Sequence, residues 1–201
     1  MRSKLFFACA LALAFIATVA SASAQADYAA RDAESRYAIG VGISGFNPGW
    51  SAPILYGPTV WADYRAPFIS RFVSGLAVEG EYHGLVANTQ TIYGESSKQN
   101  SIGAGLIYHP GILRFHSVRP YVKALGGLGW TPVYNVNGPP FVVTTFGGGA
   151  DYNLSYHLAI RADYEYQMWG GVPSYSNPGH DGTDNPQGLT LGVLYRFGSR
   201  R

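Results

Sequence analysis

The stretch LAIRADYEYQMW, residues 158–169, decides the fold. Its even positions, Leu158, Ile160, Ala162, Tyr164, Tyr166 and Met168, are all apolar or aromatic, while the odd ones include Arg161, Asp163, Glu165 and Gln167. Successive side chains of an extended chain point to opposite faces. One face of this strand is therefore oily along its length and the other is polar. Either the oily face looks into a core and the charges look at water, or the oily face looks at lipid and the charges look inward.

Other segments repeat the pattern. Val60, Ala62 and Tyr64 alternate with Asp63 and Arg65; Leu76, Val78 and Tyr82 alternate with Glu79, Glu81 and His83; Leu189, Leu191, Val193, Tyr195 and Phe197 alternate with Thr190, Gly192, Leu194 and Arg196. The polar face is also rich in glycine, at positions 40, 42, 103, 105, 147 and 149. A water-exposed sheet face has no need of glycine, whereas a narrow lumen needs small residues beside long charged ones. On the lipid side at mid-depth an Arg costs about 2–4 kcal/mol, and Asp or Glu somewhat less, so three charges on one strand exclude the opposite register. The lumen then holds Asp63, Arg65, Glu79, Glu81, Lys123, Asp151, Arg161, Asp163, Glu165 and Arg196. With six acids against four bases, Lys123 and Arg161 are expected as the central cations, and His83 shares their face.

Period-two alternation marks eight strands, at 36–45, 59–68, 75–84, 100–109, 120–130, 141–152, 157–169 and 188–197. Each is near the roughly 9–11 residues that a tilted strand needs to cross a bilayer. Connections after even strands are short; those after odd strands are on the whole longer and full of Gly, Pro, Asn and Ser, the last being 170–187. The expected fold is all-β, an eight-stranded antiparallel up-and-down transmembrane barrel with a polar, largely filled lumen and its long loops outside. With odd strands running outward, Trp50, Trp61, Trp130 and Trp169 fall at the outer ends, and Tyr37, Phe68, Phe72, Tyr108, Tyr121, Tyr152 and Phe197 at the inner ends. Two such bands match interfacial girdles.

The first 26 residues belong to a different regime. Arg2 and Lys4 precede the uncharged run Leu5–Val19, and Ser21-Ala-Ser-Ala-Gln-Ala26 follows. That order is a secretory signal peptide, too short in its apolar part for a spanning helix. The organisation read from the sequence is signal 1–26, a short periplasmic segment 27–35, barrel 36–197 and tail 198–201. Cys9, the single cysteine, falls in the signal. Removing Arg2 and Lys4 from the 14 basic residues leaves 12 against 12 acidic ones. The basic pI of the full chain therefore gives no reason to expect nucleic acid as a partner.

YAIGVGISGF (37–46), RPYVKALGGLGW (119–130), FGGGADYNLSYHLAIRADYEYQMW (146–169) and NPQGLTLGVLYRF (185–197) resemble the outer-membrane β-barrel domain family, the small eight-stranded barrels that include the OmpA transmembrane domain, OmpX and the opacity proteins. LTLGVLYRF also looks like the C-terminal signal read by the barrel-assembly machinery, although Gly198 to Arg201 follow the usual terminal aromatic. The resemblance implies outer-membrane lipids and lipopolysaccharide as surroundings and the Gram-negative outer membrane as location.

For activity the leading expectation is a non-catalytic envelope-integrity or surface-interaction barrel, with specificity in its outer loops and no cofactor. The alternatives are a lipid A deacylase or palmitoyltransferase, and a narrow channel for small solutes. A deacylase needs Ser, His and acid on the outer surface, and His116-Ser117 lies in an expected inner turn. The remaining histidines, 83, 109, 157 and 180, have no metal-ligand spacing. Tyr175, His180, Asp181 and Asp184 of the last loop are read as solvated loop residues. The glycines at 147–149 have no following Lys and helix, so they serve curvature and not phosphate. A soluble lipocalin-type barrel would require the opposite facing.

Overall fold

A computed structural model describes residues 35–48, 53–65, 75–90, 96–110, 117–131, 140–173 and 181–197. The expected signal 1–26, most of segment 27–35, the tail 198–201, and Trp50, Phe68, Phe72, His116, Tyr175 and His180 lie outside the described residues.

The strands are β1 (Tyr37–Asn47), β2 (Leu55–Tyr64), β3 (Leu76–Gln90), β4 (Ser96–Tyr108), β5 (Val118–Trp130), β6 (Phe141–Asn153), β7 (Leu158–Pro173), β8 (Asp181–Asp184) and β9 (Gln187–Phe197). All pairings are antiparallel between chain neighbours, except that β7 pairs with both β8 and β9, and β9 closes the sheet on β1. Since β8 and β9 run along the same partner and are parted by Asn185-Pro186, they act as one interrupted strand, and the sheet is a closed eight-stranded barrel.

Three boundaries differ from the sequence expectation. The 85–99 connection is mostly strand, because β3 and β4 continue pairing through Val86↔Lys98 and Gln90↔Ser96. The 170–187 loop is partly hairpin, since β7 reaches Pro173 and pairs with β8. β2 starts at Leu55 instead of 59: Phe46↔Leu55 and Ser44↔Gly57 carry the ladder with β1 through a stretch rich in turn residues. Pro58 is accommodated because pairing with β3 skips Gly57 and Pro58, and a proline has no N–H to offer there. At 15 and 16 residues, β3 and β7 outrun the length needed to span a bilayer.

Burial is inverted relative to a soluble protein. Ile43 is 71% exposed and Leu191 62%, while Glu79 is 0% and Arg161 2%. The rim where Tyr37 meets Tyr64 and Phe197 also carries the connections 65–75, 109–117 and 154–157. Backbone bonds draw that rim together: the N–H of Arg65 donates to Arg36 O, that of His109 to Gly75 O and that of Asn153 to Ser117 O. Gly75 sits at φ 91°, where a Cβ would be strained.

Val41 and Val193 face each other at the middle of β1 and β9 on the apolar exterior. Val193→Arg is expected to destabilise the folded barrel by about 2–4 kcal/mol in lipid vesicles. Urea titration followed by the difference in gel mobility between unboiled and boiled samples measures it.

Candidate functional site: the lumenal ion network

Strand parity delivers the charges to one place. On β7, Arg161, Asp163, Glu165, Gln167 and Trp169 all point inward, stacked from the inner rim toward the outer end; β3 supplies Glu79, Glu81 and His83 in the same sense. β2 adds Asp63, β5 Lys123, β6 Asp151 and β9 Arg196.

Arg161 organises the inner half. Its Nη1 donates to Glu79 Oε2 at 2.6 Å, its Nε to Asp151 Oδ1 at 2.7 Å and its Nη2 to Asp63 Oδ2 at 2.9 Å. The guanidinium carbon also sits 4.6 Å from the Tyr121 ring centre and 5.4 Å from that of Trp61, so two π faces flank the cation. Asp151 is shared with Arg196, whose Nη2 is 3.2 Å from Oδ2 and whose Nη1 donates to Asn153 Oδ1 at 2.6 Å.

Lys123 organises the next level outward. Its Nζ donates to Glu81 Oε2 and to Glu165 Oε1, both at 2.7 Å, lies 3.3 Å from Glu79 Oε1, and forms an ion pair with Asp163. The ten residues expected in the lumen thus meet through these two cations and Arg196, with Arg65, half-buried, at the inner mouth. Asp63 is half-buried as well.

Three aromatic expectations are corrected. Trp61 and Trp169 were assigned to the outer girdle and Tyr121 to the inner one, yet all three are buried in the lumen. The reason is parity: Trp61 shares a face with Asp63, Tyr121 with Lys123, and Trp169 with Arg161. Trp169 Nε1 donates to Gln167 Oε1 at 3.0 Å, and Gln167 Nε2 donates to Glu165 Oε2 at 3.3 Å, tying the outer tryptophan to the network. Glycines make the room: a Cβ on Gly40 or Gly192 would overlap the Trp61 indole, and one on Gly129 the Trp169 ring. Trp130, Tyr37, Tyr108 and Phe197 do face outward, and Tyr152 is half-buried. Tyr64 and Tyr195 join them at the inner rim, where Tyr37 and Tyr64 stack at 5.0 Å.

The sequence reading left out Ser44 and Thr59 of a hydroxyl layer and part of the inner mouth. Ser44, Thr59 and Thr190 are linked by hydrogen bonds, Ser44 to Thr190 at 2.6 Å, and Thr59 Oγ1 meets His83 Nδ1 at 2.8 Å. Arg119 and His109 are buried at the mouth beside Asp151, around a cavity of about 30 Å³. Parity marks each of them, but no run of charge does. Toward the outer end the lumen turns apolar, with Phe46, Leu55, Leu85 and Ala87 in one cluster and Val143, Trp169 and Val172 in another.

Removing Arg161 takes a shared cation from three lumenal carboxylates, Asp63, Glu79 and Asp151, so Arg161→Ala is expected to cost about 3–5 kcal/mol, read as a shift of the urea midpoint in vesicles. Gly40→Val is expected to cost about 1–3 kcal/mol through overpacking against Trp61, and most of that loss should disappear in a Trp61→Leu background. Additive losses in the double variant would show that the glycine is not seating the indole.

The comparisons agree with this architecture. The structure resembles that of Neisserial surface protein A, with a TM-score of 0.60, 17% identity, and coverage of 81% of this chain and 98% of that one. It also resembles the outer membrane protein OprG from Pseudomonas aeruginosa, with a TM-score of 0.52, 12% identity, and coverage of 84% and 99%. No curated protein sequence matches the chain. The model of the outer membrane protein beta-barrel domain matches residues 9–197. With its lipid-facing exterior, its buried ion network and that match over most of its length, the chain belongs to the outer membrane protein beta-barrel domain family.

Proposed function

We propose that this outer-membrane barrel is a non-catalytic structural or surface-interaction protein, whose specificity resides in the connections at its outer end. The observation that carries the reading is the filled lumen: among the described residues the Lys123 and Arg161 clusters occupy its middle, the apolar clusters its outer part, and two cavities along it measure about 30 and about 10 Å³. The smaller is near the volume that a single water requires. A solute path would have to break ion pairs whose partners are then left desolvated.

Among the described residues, Ser44 and Ser101 turn into the lumen, away from lipid A substrates, and Ser117 is buried at the inner rim. This favours a non-enzymatic role over a lipid-modifying one. The proposed surroundings are outer-membrane lipids and lipopolysaccharide against the apolar exterior, and the barrel-assembly machinery as a transient partner reading β9. Export through cleavage after Ala26 belongs to the same proposal, and the mature chain's balanced charge offers nothing to nucleic acid.

In planar bilayers the purified barrel is expected to give no resolvable ion steps, and its expression in an outer membrane should leave the lipid A acylation pattern unchanged by mass spectrometry. Discrete conductance would favour the channel, and loss of an acyl chain the enzyme. Envelope resistance to detergent, lost in a strain lacking the protein, should be restored by the intact chain and not by one with residues 174–180 replaced by a Gly/Ser linker.

A further inference from the structure

Glu81, His83 and Glu165 are all buried, and they place one ligand atom each within 4.8 Å of one another. We propose that these three side chains form a lumenal site for a single first-row transition-metal dication of zinc-like preference.

The division of oxygens is the first argument. Lys123 takes Glu81 Oε2 and Glu165 Oε1. The opposite oxygens, Glu81 Oε1 and Glu165 Oε2, face His83 Nε2 at 3.5 and 3.2 Å. Both carboxylates can therefore ligate an ion without releasing the lysine, while Glu165 Oε2 keeps a lone pair for the Gln167 amide.

Spacing is the second argument. Ligands bonded at roughly 2.0–2.2 Å to a tetrahedral ion lie roughly 3.3–3.6 Å apart, which the two His83 distances already approach. His83 is 3% exposed, and its Nε2 is aimed between the two carboxylates, within ion-pair distance of both but without an aligned hydrogen bond among the described residues.

The third argument is orientation. Nδ1 of His83 meets Thr59 Oγ1 at 2.8 Å, and Thr59 passes the chain on to Ser44 and Thr190. When Nδ1–H donates to Thr59, the lone pair is left on Nε2, the arrangement by which an outer hydrogen bond holds a metal-binding imidazole. A cavity of about 10 Å³ adjoins Glu81 and His83 beside Ser101 and Thr145, and it offers room for one water as a fourth ligand. Charge agrees: Glu79, Glu81, Asp163 and Glu165 all converge on Lys123, so a dication beside a neutral imidazole adds positive charge where carboxylates outnumber it. An imidazolium would offset only part of the excess, and the metal displaces that proton. An oxygen-rich site with one imidazole suits zinc and its neighbours in the row.

The test uses untagged barrel refolded in detergent with Zn2+ present, so that the closed lumen imposes no entry barrier, then dialysed against metal-free buffer. One zinc per folded barrel is expected, with X-ray absorption showing N/O ligands that include a single imidazole. His83→Gln and Glu165→Gln should lose the ion, Thr59→Val should bind it roughly 10–100-fold more weakly, and His157→Gln should retain it. Wild-type barrel without zinc, or zinc retained by folded His83→Gln, would overturn the site. Folding of each variant is checked by its gel shift on boiling. Should His83→Gln not fold, the wild-type spectrum decides alone, and a first shell without imidazole sinks the proposal.

Discussion

Glu79 holds two cations at once. One of its oxygens lies 2.6 Å from Arg161 and the other 3.3 Å from Lys123, so the inner and outer ion clusters are a single network joined at one carboxylate. The constraint behind this arrangement is the cost of an unpaired charge in a dry interior. Every other feature of the lumen follows from meeting it. Carboxylates come from four strands, π faces cover the guanidinium, and glycines yield volume so that long side chains can reach one another.

The exterior obeys the complementary constraint. No backbone polar group can be left open to lipid, so the strands must close on themselves. The pairing of β1 with β9 achieves this over all eleven residues of β1, from Tyr37↔Phe197 to Asn47↔Gln187. Side chains outside that ladder are then free to be as apolar as the bilayer, and alternation records the boundary residue by residue.

That record explains what the sequence made legible. Parity alone placed Asp63, Glu79, Glu81, Lys123, Asp151, Arg161, Asp163 and Glu165 on one face, because a strand has two faces and the lipid side excludes charge. The misassigned residues, Trp61, Trp169 and Tyr121, were read by their position along the strand and their residue type, although their parity pointed inward. An indole suits an interface and a cation-lined lumen equally well, so type could not override the alternation. The extended ends of β3, β4 and β7 were hidden for another reason: there the inward face turns apolar, with Leu85, Ala87 and Val172 buried, so the pattern of oily outside and polar inside fades. Which oxygen of Glu81 or Glu165 meets Lys123 is a matter of geometry that no sequence pattern encodes.

The two strands of the closing seam contribute differently from the rest. Toward the lumen β1 presents Ala38, Gly40, Gly42, Ser44 and Phe46, with no charge among them, and β9 presents a single cation, Arg196. The six carboxylates and the two central cations belong to β2, β3, β5, β6 and β7. A curved, still open sheet can therefore bring its opposite charges together before its edges meet. The final zipper then joins small side chains and backbone amides without carrying an unpaired ion across the gap. In this barrel the electrostatic problem and the topological one are assigned to different strands, and so they can be solved in succession.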